Sequence, residues 1–211
     1  MKTQEELLNA VIGMVAAVER LDFSDSTVYS LWLSQAYYFV RHSTPLLALS
    51  CGRALDNRSY HLRCIGHLSE EKGHDRLLLN DLKSLGVSIE DFPEFASTAA
   101  FYQSQYFWIE HVNPVSFLGY IYVLEALAVL QGKSKAHQAN SFRSDSFLKV
   151  HADEDAGHLQ QAAKLISTFS ETDQMQIVKN AQQASSLYQL IVRDILEFAA
   201  KQKTERDSLA A

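Results

Sequence analysis

The chain has 211 residues, is 47% hydrophobic, and carries a formal net charge of −6 from 19 basic and 25 acidic residues. This length and apolar content allow one domain with a full core, and we expect a single domain over residues 1–211. The acidic balance, without a basic stripe, argues against a nucleic-acid-binding surface and gives no reason to expect an anionic membrane as a partner.

Three features of the sequence bear on where the protein works. The N-terminal stretch MKTQEELLNAV carries acidic residues where a signal peptide has a basic stretch and then an apolar run. The longest apolar stretch, FLGYIYVLEALAVL, is interrupted by Glu125 and is shorter than a bilayer-spanning helix. The cysteines, Cys51 and Cys64, form neither a disulfide framework nor a CxxC motif. We therefore expect a cytoplasmic protein without a membrane partner.

The predicted secondary structure is helical from end to end. Apolar residues recur at spacings of three and four, and strict alternation is absent. This periodicity predicts an all-α bundle of about seven long antiparallel helices. In chain order, the predicted helices cover residues 3–20, 26–43, 45–55 (a short one), 57–85, 95–111, 114–132, 146–169 and 171–202.

Several helix ends have a chemical signal. Asn113 followed by Pro114 is a good N-cap with proline at the first helical position. Gly132 is a natural C-terminal stop for the helix that begins there. Ser170 with Asp173 three residues later is close to a capping box and predicts the start of the last helix.

The segment KVHADEDAGHL, residues 149–159, holds ionisable residues on the core side of a predicted helix. At about 100° per residue, Asp155 and His158 lie only about 40° and 20° from His151 around the helix axis. The trio therefore shares one stripe, and its other members are apolar. Those members are Leu148, Ala162, Leu165 and Phe169.

Two other predicted core stripes also contain ionisable residues among apolar ones. On the 57–85 helix, Glu71 and His74 form a carboxylate-x-x-His pair that resembles the spacing of Asp155 and His158. His67 lies on the same stripe and either replaces or supplements Glu71. On the 114–132 helix, the Glu125 carboxylate is the single charge in an apolar run.

These residues favour a shared metal site, because buried charges must be paired or bound to a metal. Each motif alone has a structural explanation, since a Tyr or Arg can satisfy Glu125 and the His-x3-Asp-x2-His motif can be a polar network. Their coincidence on three stripes is better explained by two iron or manganese ions bridged by carboxylates. The predicted ligands are Glu71, His74, Glu125, His151, Asp155 and His158, with His67 as an alternative.

The motifs, in this order, resemble those of the heme-oxygenase-like di-iron oxidases, relatives in fold of the TenA thiaminases and of the coenzyme PQQ synthesis protein C. The resemblance covers the chain from about the second helix to the last and rests on SEEKGHD, VLEALAV and the His-x3-Asp-x2-His motif. It implies a heme-oxygenase-like helical bundle with the six ligands above. It also implies a non-heme di-iron enzyme with O2 as co-substrate, acting on a small organic molecule such as an amino acid or a fatty acid.

Three other functions remain open from the sequence. One alternative is a ferritin-like metal store or a single-metal hydrolase, and a ferritin-type site would need an additional carboxylate from the first helix, which Glu19 can supply. A TenA-like protein would need a nucleophilic cysteine, and Cys64 lies on the site stripe without a recognisable motif. In a non-enzymatic binding module, the polar core would be structural and a pocket would hold a ligand.

The substrate and the assembly are less constrained. The second predicted helix should border the site, and we expect Arg41 to hold a substrate carboxylate or Tyr38 to hydrogen-bond a ligand. The long amphipathic last helix can support a homodimer or simply close the bundle.

Overall fold

The computed structural model describes the backbone of residues 2–142 and 144–210, with all side chains in these ranges except those of residues 153–156 and 210. No strand occurs in this part of the chain, which confirms the all-α prediction. The α-helices are α1 (Lys2–Glu19), α2 (Ser26–Val40), α3 (Ser43–Arg53), α4 (Arg58–Glu70), α5 (His74–Ser84), α6 (Ala96–Phe107), α7 (Leu118–Ala139), α8 (Ser146–Ile166) and α9 (Glu171–Ala210). Short 3-10 turns cover Ile89–Asp91, Pro114–Phe117 and Asn140–Phe142, and a π-helical turn covers Trp108–Val112.

The predicted caps at two helix starts are present. The Ser170 hydroxyl accepts a hydrogen bond from the Asp173 backbone N–H at 3.2 Å, directly before α9. The Asn113 side chain accepts one from the Val115 N–H at 3.1 Å, with Pro114 at the first helical position. Both caps satisfy backbone donors that have no partner within the helix.

The predicted stop at Gly132 is wrong, because α7 continues for seven residues beyond it to Ala139. Gly132 faces α8, and a Cβ atom on it would stand 3.1 Å from the Ala152 Cβ atom. The glycine therefore serves helix packing, and this contact holds α8 against the central helix near His151.

The predicted helix over residues 57–85 is divided into α4 and α5. The break covers residues 71–73, and Gly73 adopts a left-handed conformation with φ +93°. Only glycine adopts this conformation without strain. The break turns the chain directly between Glu71 and His74, so it sets how these two side chains face each other.

The centre of the bundle is α7, which packs against α1, α8 and α9. The helical run Pro114–Phe142 has 29 residues and is long and apolar enough to cross a membrane by length and composition, contrary to the expectation from the sequence. Its most apolar window is 67% buried inside the protein, as a core helix would be. Glu125 lies in the middle of this run and is 4% exposed.

A pair of glycine substitutions tests the helix break. Gly73→Ala should lower the free energy of unfolding by about 1–3 kcal/mol, because alanine is strained at positive φ. Gly66→Ala is the matched control: it lies inside α4, a Cβ there meets nothing within 4 Å, and it should stabilise by about 0.5–1 kcal/mol. Urea denaturation of both variants measures the difference, and equal effects would contradict the assignment.

Candidate metal centre

Four helices and the α4–α5 break contribute donor side chains to one region of the core. Glu71 occupies the C-cap position of α4, and His74 is the first residue of α5. His67 is buried one turn before the end of α4. Glu125 comes from the buried middle of α7, and α8 contributes two imidazoles.

The first donor group consists of Glu71, His74 and His151. Each offers one ligand atom, and these atoms lie within 4.8 Å of one another. The His74 Nδ1 atom is 3.5 Å from Glu71 Oε2. The His74 and His151 rings stand edge to face with centroids 4.8 Å apart. The group contains two imidazoles and one carboxylate.

The second donor group has the same composition. His67, Glu125 and His158 bring one ligand atom each to within 4.8 Å of the others. The His67 Nε2 atom is 3.8 Å from Glu125 Oε1, and the His67 and His158 ring centroids are 5.3 Å apart.

The Glu71 carboxylate lies between the two groups. Its Oε1 atom is 3.3 Å from His67 Nε2 in the second group, and its Oε2 atom faces His74 in the first. Burial acts to raise the pKa of the Glu71 carboxyl, but hydrogen bonds from His67 and His74 outweigh it and hold that pKa below its usual value. An ionised carboxylate with one oxygen toward each group is arranged to bridge two cations.

The His151 ring is oriented by its own helix. Its Nδ1 atom lies 2.9 Å from the Phe147 carbonyl oxygen, one turn earlier in α8. A neutral imidazole that donates Nδ1–H to this carbonyl keeps a lone pair on Nε2. This arrangement is typical of metal-binding histidines, since the hydrogen bond fixes both the tautomer and the ring direction.

The start of α8 is anchored by a buried acid on α5. The Asp81 carboxylate accepts hydrogen bonds from the Ser146 and Phe147 backbone N–H groups at 3.2 and 3.0 Å, and from the Ser146 hydroxyl at 2.7 Å. A carboxylate at this position also interacts favourably with the helix dipole. Asp81 therefore fixes the register of α8, and with it His151, relative to α5.

Two charged residues that the sequence did not predict as part of the site contact the donor groups. Arg63 donates from Nη2 to Glu125 Oε1 at 3.0 Å and to the His158 carbonyl oxygen at 3.3 Å. Glu70 lies off the stripe that carries His67 and Glu71, and its Oε2 atom is 3.2 Å from His158 Nε2. Arg63 precedes His67 by one helical turn, so the stripe that identified His67 could have identified it as well.

The structure brings together five of the six predicted ligands, together with His67. The sequence left open whether Glu71 or His67 belongs to the site, and the structure places both there. The sixth predicted ligand is Asp155. Its side chain lies outside the described residues.

The predicted substrate contacts on α2 do not face the donor groups. The Tyr38 hydroxyl donates to the Phe92 carbonyl oxygen at 2.8 Å, and Arg41 is exposed beside the Tyr37 ring. The α2 side chains that line the cavity described next include Phe39 and Val40 instead. Tyr38 and Arg41 lie on the neighbouring face of the helix, so their prediction as substrate contacts is not supported.

A cavity opens onto both donor groups. It has about 930 Å³ of empty volume, part of it open to solvent. His67, Glu71, Glu125 and His151 form part of its wall. The rest is mostly aromatic and aliphatic, including Trp32, Phe39, Leu47, Phe117, Tyr120, Ile121, Leu124, Phe147 and Leu148. Such a wall suits a largely apolar ligand positioned by a few polar groups.

Cys64 lies in the core and not in the cavity wall. It is 1% exposed, and burial raises the pKa of its thiol to about 11. A protonated, inaccessible thiol is a poor nucleophile at neutral pH. This disfavours a TenA-like reaction based on Cys64.

The donor chemistry fits ferrous iron. Each group combines two histidines with one carboxylate, which is the ligand set typical of non-heme Fe(II) sites that keep positions open. A structural zinc site would instead favour cysteine thiolates. The ligand atoms converge inside the bundle core, next to an apolar cavity, as in other metal sites of helix bundles.

Comparison with protein-family models agrees with the assignment of the donor groups to iron. A family model described as iron-containing redox enzyme matches residues 30–189. The chain belongs to this family of iron-containing redox enzymes. The matched range includes every residue of both donor groups. No curated protein matches the chain.

Solved structures show the fold of this iron-containing redox enzyme to be heme-oxygenase-like, as predicted. A heme-oxygenase-like domain of unknown function from Shewanella denitrificans is similar with a TM-score of 0.83 and 20% identity, over 95% of this chain and 94% of that one. A TenA homologue from Pseudomonas syringae pv. tomato has a TM-score of 0.74 and 15% identity, over 92% and 93%. A TenA homologue from Pyrococcus furiosus has a TM-score of 0.72 and 13% identity, over 92% and 98%.

The two cysteines should differ in reactivity. At pH 8 the native protein should react rapidly with an aromatic disulfide reagent at the half-buried Cys51 and not at Cys64, whose raised pKa and burial suppress the thiolate. In urea both should react. Cys51→Ser should therefore abolish the rapid phase, whereas a rapid phase that disappears in Cys64→Ser would show an accessible nucleophile.

The Arg63–Glu125 pair should stabilise the metal-free protein. Arg63→Met leaves the Glu125 charge buried and should lower the free energy of unfolding by about 3 kcal/mol. Added Mn(II) should recover part of this loss, because a cation can replace the guanidinium. The control is Arg53→Met, which removes the exposed Arg53–Glu110 pair and should change stability by less than about 1 kcal/mol. Equal losses in the two variants, measured by urea denaturation, would contradict the role of Arg63.

Proposed function

We propose that this redox enzyme is a non-heme di-iron oxidase that uses O2 to oxidise a small organic substrate with a substantial apolar part, such as a fatty acid or an amino acid. The observation that carries the proposal is a pair of adjacent groups, each with two histidines and one carboxylate, in which Glu71 of the first group also lies 3.3 Å from His67 of the second. A single-metal enzyme would need only one such group.

Two sets of protein side chains would hold the metals. His74, His151 and Glu71 would hold one ion, and His67, Glu125 and His158 would hold the other, with the Glu71 carboxylate next to both sets. When bound, two ferrous ions supply the electrons that activate O2 for oxidation of the substrate. Arg63 orients the Glu125 carboxylate through a hydrogen bond, and the Phe147 carbonyl accepts Nδ1–H of His151, so that the Nε2 lone pair would be available to a metal.

The cavity wall positions the substrate and limits access of water. Phe117, Ile121 and Leu148 present apolar surface close to the donor residues. Exclusion of water from such a site strengthens electrostatic interactions there and protects reactive species from side reactions. The Tyr120 side chain is buried in the same wall, and burial together with the Glu71 charge raises the pKa of its hydroxyl well above its usual value. Tyr120 is therefore neutral in the metal-free protein.

The alternative functions have less support. Glu19, which a ferritin-type site would require, is exposed at the end of α1, where it accepts a hydrogen bond from Gln131. It belongs to neither donor group in the described part of the chain. A TenA-like nucleophile is disfavoured by the burial of Cys64.

Metal stoichiometry tests the two-site arrangement. Anaerobic Fe(II) titration followed by elemental analysis should give about two ions per chain, since each of the two donor groups would hold one. His74→Ala and His158→Ala each damage one set and should reduce the stoichiometry to about one. The control His137→Ala removes an exposed histidine of α7 and should keep the wild-type value.

Oxygen consumption tests the redox function. The Fe(II)-loaded protein should consume O2 and give a transient visible absorption band, and the His74→Ala and His158→Ala variants should lose both. Stoichiometric iron binding without O2 consumption would favour a metal store. Absence of iron binding in the wild type would overturn the proposal.

A further inference from the structure

A buried cation lines the same cavity at a distance from the metal-binding groups. Lys135 follows Glu125 by ten residues in α7, which places it about 15 Å further along the helix axis. Both residues contribute to the cavity wall. Between them, the α7 wall is formed mainly by Leu127, Ala128, Gln131 and Gly132. The cavity thus extends along α7 from the carboxylate-and-imidazole end to an ammonium group.

The ammonium group of Lys135 has only neutral contacts among the described residues. Its Nζ atom donates to the Leu21 carbonyl oxygen at 2.5 Å and to Gln138 Oε1 at 3.3 Å. It lies 5.2 Å from the centre of the Phe23 ring, which also lines the cavity. No carboxylate of the described part of the chain forms an ion pair with it, and the third N–H has no hydrogen-bond partner there.

Packing alone does not explain why a charged ammonium group is buried at this position. Lys135 is 3% exposed, and burial lowers the pKa of its ammonium group, an effect that Asp22 and Glu19 partly oppose from a distance. A neutral amide could satisfy both the Leu21 carbonyl and Gln138. A charged donor is better explained by an anion that completes its contacts, because a buried ion without a counter-ion is costly.

We propose that Lys135 binds an anionic group of the substrate at the end remote from the metals. The ligand class is an elongated apolar anion, in the simplest case an alkyl chain that ends in a carboxylate. The anion accepts the free N–H of Lys135, the chain lies along the apolar α7 wall, and the other end is presented to the metal centre. This last point rests on the proposed oxidase function, whereas the binding of the anion to Lys135 does not.

Trp32 provides a direct reporter of this binding. The chain has two tryptophans, and Trp32 lines the cavity while Trp108 lies in the π-helical turn after α6. In a Trp108→Phe background, the fluorescence of Trp32 alone reports occupation of the cavity. All variants are compared in this background.

The experiment uses metal-free, chelator-treated protein and two probes of equal chain length, decanoate and decan-1-ol. Lys135→Met replaces the ammonium group by an apolar end of similar length and should weaken decanoate binding at least about ten-fold, as expected for loss of a buried charge partner. Decan-1-ol binding should change by less than about three-fold. Lys135→Arg, which keeps the charge, should retain most of the decanoate affinity.

The outcomes separate the possibilities. Unchanged decanoate binding in Lys135→Met would overturn the proposal, and so would an equal loss of affinity for both probes, which would assign Lys135 a structural role. Because the titration contains no metal, its result is independent of iron binding. Failure of the di-iron proposal would appear in the Fe(II) stoichiometry of the wild type, and failure of the present one in the ratio of the two probe affinities.

Discussion

The structure depends on the interaction of the Glu71 carboxylate with histidines on both of its sides. A carboxylate and four imidazoles inside a helix bundle are costly unless they neutralise one another or bind cations. In the metal-free protein, hydrogen bonds from His67 and His74 stabilise the ionised form of Glu71, and Arg63 forms an ion pair with Glu125. These contacts keep the donors in place and leave a charge distribution that attracts metal ions. The composition of the two donor groups also agrees with membership of the iron-containing family, because two histidines with one carboxylate are a ligand set typical of ferrous iron.

A few local contacts and backbone conformations produce this arrangement of donor residues. The left-handed Gly73 directly precedes α5 and allows that helix to start with His74 facing Glu71. Asp81 then accepts hydrogen bonds from the start of α8 and sets the position of His151 on that helix. Gly132 lets α8 approach α7 closely. Each of these features acts within one or two turns of a donor residue, so the precision of the site comes from short-range backbone geometry rather than from the bundle as a whole.

The sequence predicted the helical fold and most of the donor residues because both follow from one periodicity. Glu71, Glu125 and His158 interrupt apolar stripes. Because the helical period is known, a polar residue within such a stripe is predicted to face the core. The sequence could not reveal the break at Gly73, because a glycine within a helical pattern is compatible with a continuous helix. It did not decide between Glu71 and His67, since both lie on one stripe of the predicted helix and only their contacts with other helices show that both reach the site. The pairing of Arg63 and the extent of the cavity depend on contacts between helices, which periodicity does not determine.

We propose that two metal ions bind on either side of the Glu71 carboxylate. The most direct measurement is a crystal structure of the anaerobic Fe(II)-loaded protein with diffraction data collected on both sides of the iron absorption edge. The account predicts two anomalous peaks about 3.5–4 Å apart, as in other two-metal sites, one beside His74 and His151 and the other beside His67 and His158. A single peak, or donor groups that keep only their mutual hydrogen bonds in the presence of excess iron, would contradict it.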